Sequence, residues 1–321
     1  MEKLYTYAVA RVKVREAGLL SAHDIEQLVS SKSYEECLRL LSDKGYENGV
    51  FKFYDELILK EQQKTWNFIA ELTDDLSVFD VFRIGNDFHN LKAAIKVNFS
   101  GYKPERIYIS GGTLDSECFE KAVKEGDFSE LPDIFKEAAE TAVSVLNKTG
   151  DGQRCDMVLD KAEYRAKLLS AKKTENSFLI EYTKLCVDFF ALKTAFRCML
   201  LSKDRDFLKS AVPEDCSFDI SELSDAVFAG KDAFREFIAK AGFNAISGSV
   251  DASVAEFEKH CDNYLMDFVK KQKWDSLTIA PVASYILARE NELKMVRIIL
   301  SAKLNGFSEE IVRERMRDMY V

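Results

Sequence analysis

The chain has few of the residues that interrupt helices, with 4 prolines and 14 glycines among 321 residues. Proline removes a backbone donor and clashes with the preceding turn, and glycine loses the most backbone entropy on ordering. A sequence sparing of both, and rich in Leu, Ala, Glu and Lys, is therefore expected to be helical throughout. Cysteine occurs seven times, at Cys37, Cys118, Cys155, Cys186, Cys198, Cys216 and Cys261, but never as a CxxC pair. An odd, scattered set gives no disulfide framework and fits a reducing cytoplasm. The opening MEKLYTYAVARVKV lacks the apolar core of a signal peptide, and no apolar run approaches the length of a spanning helix. The expectation is a soluble chain with no direct membrane insertion. Basic charge is also short, 45 Lys and Arg against 54 Asp and Glu for a net charge of −9, which argues against nucleic acid as a main partner.

Catalytic and cofactor signatures are missing too. No GxxxxGK[ST] occurs, the nearest piece being Gly230 with Lys231, so the backbone cradle and lysine of a phosphate site are absent and neither nucleotide binding nor hydrolysis is expected. There is no HExxH, and His23, His89 and His260 are too far apart to suggest zinc ligation. His89, beside Asp87, reads as a polar residue on a helix flank. Asp74, Asp75 and Asp80 are similar to the Mg²⁺ motif of all-helical prenyl-chain enzymes, but the third acid is misplaced and no second cluster accompanies it, so they read as helix-start caps. Asp151, Asp156 and Asp160 lack calcium-loop spacing and read as a solvated turn. No cofactor, metal or catalytic residue is assigned.

What the chain does contain is a pattern repeated three times. Ile84 to Phe99, Cys186 to Leu201 and Arg289 to Leu304 align with offsets of 101 and 104 residues. An acid recurs at Asp87, Asp188 and Glu292, and a base five residues later at Lys92, Lys193 and Arg297. Three apolar columns lie between and beyond them: Phe88, Leu91, Ile95; Phe189, Leu192, Phe196; Leu293, Val296, Leu300. Their helical spacing predicts one buried stripe per segment. At roughly 100° per residue, acid and base five apart point about 140° away from each other, so each needs a partner elsewhere.

A helical pair precedes each organising segment. Ser21 with Asp24 and Ser33 with Glu36 are capping-box spacings that open HDIEQLVS and YEECLRLLS. The stretches beginning GGTLDSECF and ISELSDAVF echo that pair. Helices are further expected over Leu4 to Ala17, Val50 to Thr73, Met157 to Ala171 and Val254 to Lys273, with RIYIS extended before a turn at Gly111 and Gly112, Gly242 to Gly248 a loop, and a last helix in SEEIVRERMRDMYV. A period near 100 is too long for one layer of a common solenoid. The expected fold class is therefore all-α, with three similar helical repeat domains over 1–105, 106–208 and 209–321. A base kept at three matching positions implies either buried structural pairing or a shared acidic partner.

The opening YAVARVKVREAGLLSAHDIEQLVSSKSYEECLRLLSDKGY, the segment DFHNLKAAIK and the late ARENELKMVRIILSAKLNGF together resemble the C subunit of the V-type and A-type ATPases, the family that also supplies the d subunit of the eukaryotic vacuolar enzyme. The resemblance covers essentially the whole chain. It implies a funnel of three helical domains in pseudo-threefold arrangement, peripheral to the cytoplasmic face of the membrane, with the central axle subunits and the membrane rotor-ring subunits as partners. The implied role is transmission of rotation without catalysis, coupling ATP hydrolysis or synthesis to proton or sodium transport. Asp87, Asn90, Leu91 and Lys92 match the first family motif, and Glu290, Asn291, Glu292 and Arg297 the third. Met295 and Ala191 stand where the family more often has Asn. Lys92, Lys193, Arg297, Asp87, Asn90, Glu290 and Glu292 are the subunit-interface candidates. The competing expectations are a helical adaptor of another assembly and an all-helical Mg-dependent enzyme.

Overall fold

A computed structural model of the chain describes residues 5–49, 53–275 and 277–321. Leu4 and Val50, where two expected helices begin, lie outside the described residues. Among those described there is no strand, as the scarcity of helix breakers predicts. After α1 (Thr6–Glu16) comes a run of four helices, α2 (Ala22–Ser30), α3 (Tyr34–Asp43), α4 (Tyr54–Ala70) and α5 (Asp80–Ser100). The second run is α6 (Ser116–Glu125), α7 (Asp133–Thr149), α8 (Gly152–Lys173) and α9 (Ser177–Leu200). Following α10 (Arg205–Ala211), the third run comprises α11 (Ile220–Ala229), α12 (Lys231–Lys240), the short α13 (Asn244–Ser247), α14 (Val254–Lys270) and α15 (Ala280–Leu304), and α16 (Glu309–Arg315) follows.

Local chemistry sets most boundaries. Ser21 and Asp24 form the full reciprocal capping box at α2, satisfying two orphan donors. Ser33 accepts from the Glu36 amide, but Glu36 reaches the Lys32 amide instead of completing the box. Asp74 and Asp75 do not cap α5: a 3₁₀ turn at Leu76–Phe79 leads into it and Phe79 takes the cap position without a side-chain bond. The expected 242–248 loop contains α13 and continues into a 3₁₀ turn at Gly248–Asp251, where Ser249 Oγ donates to the Ile246 carbonyl at 2.6 Å. The final segment is helical only through Arg315; beyond it Met319 and Tyr320 are buried in irregular chain.

The chain divides into two compact units, one of Met1–Leu76 with Ile238–Val321, the other Ser77–Phe237. In the first, α15 lies against α4, α2 and α3, and Leu293, Val296 and Leu300 join Leu28, Leu41 and Leu57 in one core. In the second, α5 lies against α6, α7 and α8, with Phe88 and Leu91 packed among Phe119, Phe135 and Leu159. Also in the second unit, α9 meets α11, and Phe196 stacks on Phe234 of α12 at 6.2 Å. All nine residues of the three apolar columns are at most 3% exposed. Burying each contributes about 1.5–3 kcal/mol relative to exposure, so the stripe is what ties each long helix to its neighbours. The helices α5 and α9 pack on the helices that follow their own runs, α6 with α7 and α11 with α12, whereas α15 packs on α2 and α3 at the start of the chain.

Candidate functional site

The three repeated acids perform one task. Asp87 on α5 accepts the Thr113 amide at 2.9 Å, the Leu114 amide at 3.1 Å and the Thr113 hydroxyl at 2.7 Å, just ahead of α6. Asp188 on α9 accepts the Ser217 amide at 2.8 Å and the Ser217 hydroxyl, just ahead of α11. Glu292 on α15 accepts the Leu20 amide at 2.6 Å, two residues before α2. Each carboxylate therefore captures the backbone that turns into a short helical pair. Burial pushes all three above the usual carboxylate range, and the donors offset this only in part: Thr113 and Leu114 at Asp87, Ser217 at Asp188, and Arg289, Tyr46 and Leu20 at Glu292.

At Asp87 the captured backbone is a long one. Residues 107–113 run along α5 without strand pairing, and side chains of the helix satisfy them. His89 Nε2 donates to the Ile107 carbonyl at 3.0 Å, so His89 is an exposed backbone partner and not a ligand. Asn90 donates to the Ile109 carbonyl and accepts its amide, both at 2.9 Å. Asn86 reaches the Ser110 carbonyl at 3.2 Å, and Arg83 the Gly112 carbonyl. Gly112 permits the approach, since a Cβ there would overlap Asp87 Oδ1 and lie 3.0 Å from its Cγ. The Asn90 column is buried in all three segments, at 1% for Asn90 and 0% for Ala191 and Met295. The latter two cannot make Asn90's double bond; Met295 Sδ receives the Arg317 amide at 3.2 Å instead.

Glu292 carries more than its counterparts. It also accepts from Tyr46 Oη at 2.6 Å and from Arg289 Nη1. Arg289 donates in addition to Glu61 Oε2 at 3.0 Å and lies over the Tyr46 ring at 5.3 Å. Burial alone would lower the guanidinium's pKa, but Glu292 and the groups around it outweigh this and keep it charged. A cavity of about 400 Å³ opens beside the network, bordered by Thr65, Tyr285 and Arg289. The charges of Arg289, Glu61 and Glu292 are matched to one another, so the network fastens helices α4 and α15. Among the described residues, no group of three or more His, Cys, Asp and Glu side chains is placed to hold a metal ion.

Lys92 and Arg297 pair with acids outside the repeated set. Lys92 meets Asp160 of α8 at 2.6 Å, and Lys96 meets Asp156 at 2.7 Å. Asp156 and Asp160 are thus helix-borne partners of α5, not members of a solvated turn. Lys92 is pushed above its ordinary value: burial opposes the shift, and the bond to Asp160 with the nearby Asp156 and Glu163 outweighs it. Arg297 is exposed and reaches Asp55 of α4 at 3.4 Å. Lys193 on α9 and Glu290 on α15 are half-buried. The recurring pattern thus resolves into buried acids that hold backbone and bases nearer the surface. Thr113, Ser217, Tyr46 and Glu61 escaped the sequence reading, and Asp160 was missed as a partner of Lys92, because their only signal is proximity across long separations. Gly112 was visible as a turn residue, though not as the floor under Asp87.

This all-helical chain with three matching acid clasps can be compared with known proteins. The model of the ATP synthase (C/AC39) subunit family matches residues 8–315, and the chain belongs to that family. It is 21% identical over 317 residues to the C subunit of the V-type sodium ATPase of Enterococcus hirae, covering 96% of this chain and 97% of that one. It is 25% identical over 324 residues to the C subunit of the V-type ATP synthase of Thermus thermophilus, with 97% and 98% covered. The C subunit of the A-type ATP synthase of Haloquadratum walsbyi is 24% identical, with 96% of both chains covered. No described helix is long and apolar enough to cross a membrane.

Proposed function

We propose that this chain is a non-catalytic central-stalk subunit of a rotary V/A-type ATPase, peripheral to the cytoplasmic face of the membrane, joining the axle subunits to the membrane rotor ring. The observation that carries this reading is the family match across nearly the whole chain. The acid clasps give it a mechanical basis. Asp87, Asp188 and Glu292 each tie a long helix to the next short pair, closing the last run onto the first, which suits three like bundles in a pseudo-threefold funnel. A part that transmits torque needs such cross-links, because a buried charge-assisted bond resists shear better than apolar contact alone. In this reading Asp87, Asn90 and Glu292 are frame residues, contact with an acidic axle foot or ring surface falls to Lys193 and Arg297, and Glu290 is an interface residue for a basic one; none of these three is buried.

The test is to purify the membrane ATPase from cells with and without this chain. With it, the chain co-purifies with axle and ring, and ATP hydrolysis drives ion uptake into vesicles. Without it, the catalytic part hydrolyses ATP but uptake is lost. Coupled transport that persists without the chain would overturn the proposal. Calorimetry of the isolated chain with MgATP is expected to give no micromolar, stoichiometric heat.

A further inference from the structure

Trp274 is the most exposed large apolar side chain among the described residues, at 79%, and Leu277 three positions on is 65% exposed. Both lie between α14 and α15, Trp274 at the end of a 3₁₀ turn over Lys271–Trp274. Lys13 of α1 lies with its ammonium 5.3 Å from the Trp274 ring centroid. An exposed tryptophan held this way is a built feature. The Asp275 carboxylate accepts the Leu277 amide at 3.3 Å and the Thr278 hydroxyl at 2.9 Å, which shapes the turn. From the other side, Lys273 is stacked between Trp274 and Tyr320, at 5.8 and 5.5 Å.

The surrounding charge is mainly basic, although the chain as a whole is acidic. Lys270, Lys271 and Lys273 follow one another here and Lys13 adjoins the ring; Asp275 is engaged by its own turn and Glu16 by Lys13 and the Tyr320 hydroxyl, while Asp267 stands one helical turn before Lys271. A protruding Trp and Leu among lysines suits a deformable anionic surface better than a second protein, which would have to supply a pocket for the ring. Indole rings favour the headgroup level of a bilayer, and lysines beside them are drawn to anionic lipid. We propose that Trp274 and Leu277, with the flanking lysines, rest on the anionic lipid surface of a membrane, as a superficial contact without a spanning segment. This goes beyond the rotary-ATPase reading, and its failure leaves that reading intact because the deciding measurements use the isolated chain with protein-free lipid, and membranes with ring protein serve only as the comparison.

The chain carries its own reporter, since the only other tryptophan, Trp66, is half-buried in α4. With Trp66→Phe in the full chain, vesicles containing phosphatidylserine are expected to blue-shift Trp274 emission and to make it quenchable by brominated acyl chains, while pure phosphatidylcholine vesicles do neither. Lys271→Gln with Lys273→Gln should weaken co-sedimentation by on the order of 25-fold, from about fivefold per lysine, and added salt should weaken binding in parallel. Trp274→Ser in the otherwise unaltered chain should lose vesicle binding at an unchanged melting temperature, which keeps the test open if Trp66→Phe fails to fold. Unchanged emission together with no co-sedimentation on anionic vesicles overturns the proposal. So does protection of Trp274 only by membranes that carry ring protein, which would make the turn a protein contact.

Discussion

At the level of single residues, Gly112 and the three repeated acids are the sharpest points of the structure. Gly112→Ala puts a methyl group into Asp87, and either the segment lifts or the carboxylate loses its donors. A cost of about 2 kcal/mol or more is expected by urea denaturation, whereas Gly152→Ala, where an added Cβ meets nothing, should be neutral to slightly stabilising. The acids separate by what an amide can replace. In Asp188→Asn the carbonyl can take the Ser217 amide and the NH₂ can donate to the Ser217 hydroxyl, so the loss should be under about 1 kcal/mol. Glu292→Gln cannot serve Arg289 and Tyr46 on one oxygen and the Leu20 amide on the other, because its NH₂ would face a donor. It should cost about 3–5 kcal/mol, as breaking a buried pair does. The pH dependence follows from the raised folded pKa of Asp188. The folded state binds its proton more readily than the unfolded state, so this residue's added stability is full below about pH 4 and is lost as pH rises through the folded value. Asp188→Asn should remove that part of the slope from a series of melts across acidic pH.

At the level of helices, α5 and α15 use the same column of the repeat with different strength. Lys92 and Asp160 have side chains 25% and 33% exposed, against 49% and 51% for Arg297 and Asp55. A double-mutant cycle on the first pair should give a coupling of about 1 kcal/mol, and on the second less than about 0.5 kcal/mol. Equal couplings would mean that exposure does not set the difference. Helix positions and types were legible because hydrophobic period and capping residues act within one or two turns: Ser21 with Asp24 marks the start of α2 on local chemistry alone. Where the local signal was ambiguous the reading failed. Asp74 and Asp75 have capping chemistry, yet the chain turns through Leu76–Phe79 first and buries Phe79, an apolar demand that outweighs a surface cap.

At the level of the whole chain, α15 packs on the core of α2, α3 and α4, more than 200 residues away in sequence, and α5 on α6, α7 and α8. Val296→Ala should therefore speed hydrogen exchange through α2, α3 and α4 together with α15, by a destabilisation of roughly 2 kcal/mol, and leave α6, α7 and α8 unchanged. Acceleration confined to α15 would contradict this cooperative unit. The amino-acid sequence by itself determined the all-helical class, the threefold recurrence of acid, apolar stripe and base, and the family, since each is written in spacing along the chain. Only the tertiary structure decided what the acids and bases hold. A carboxylate five residues from its base cannot turn to meet it on one helix, so Asp87, Asp188 and Glu292 bind backbone donors 26 to 272 residues away. Those partners are brought near by burial of the apolar stripe, and no local pattern encodes them.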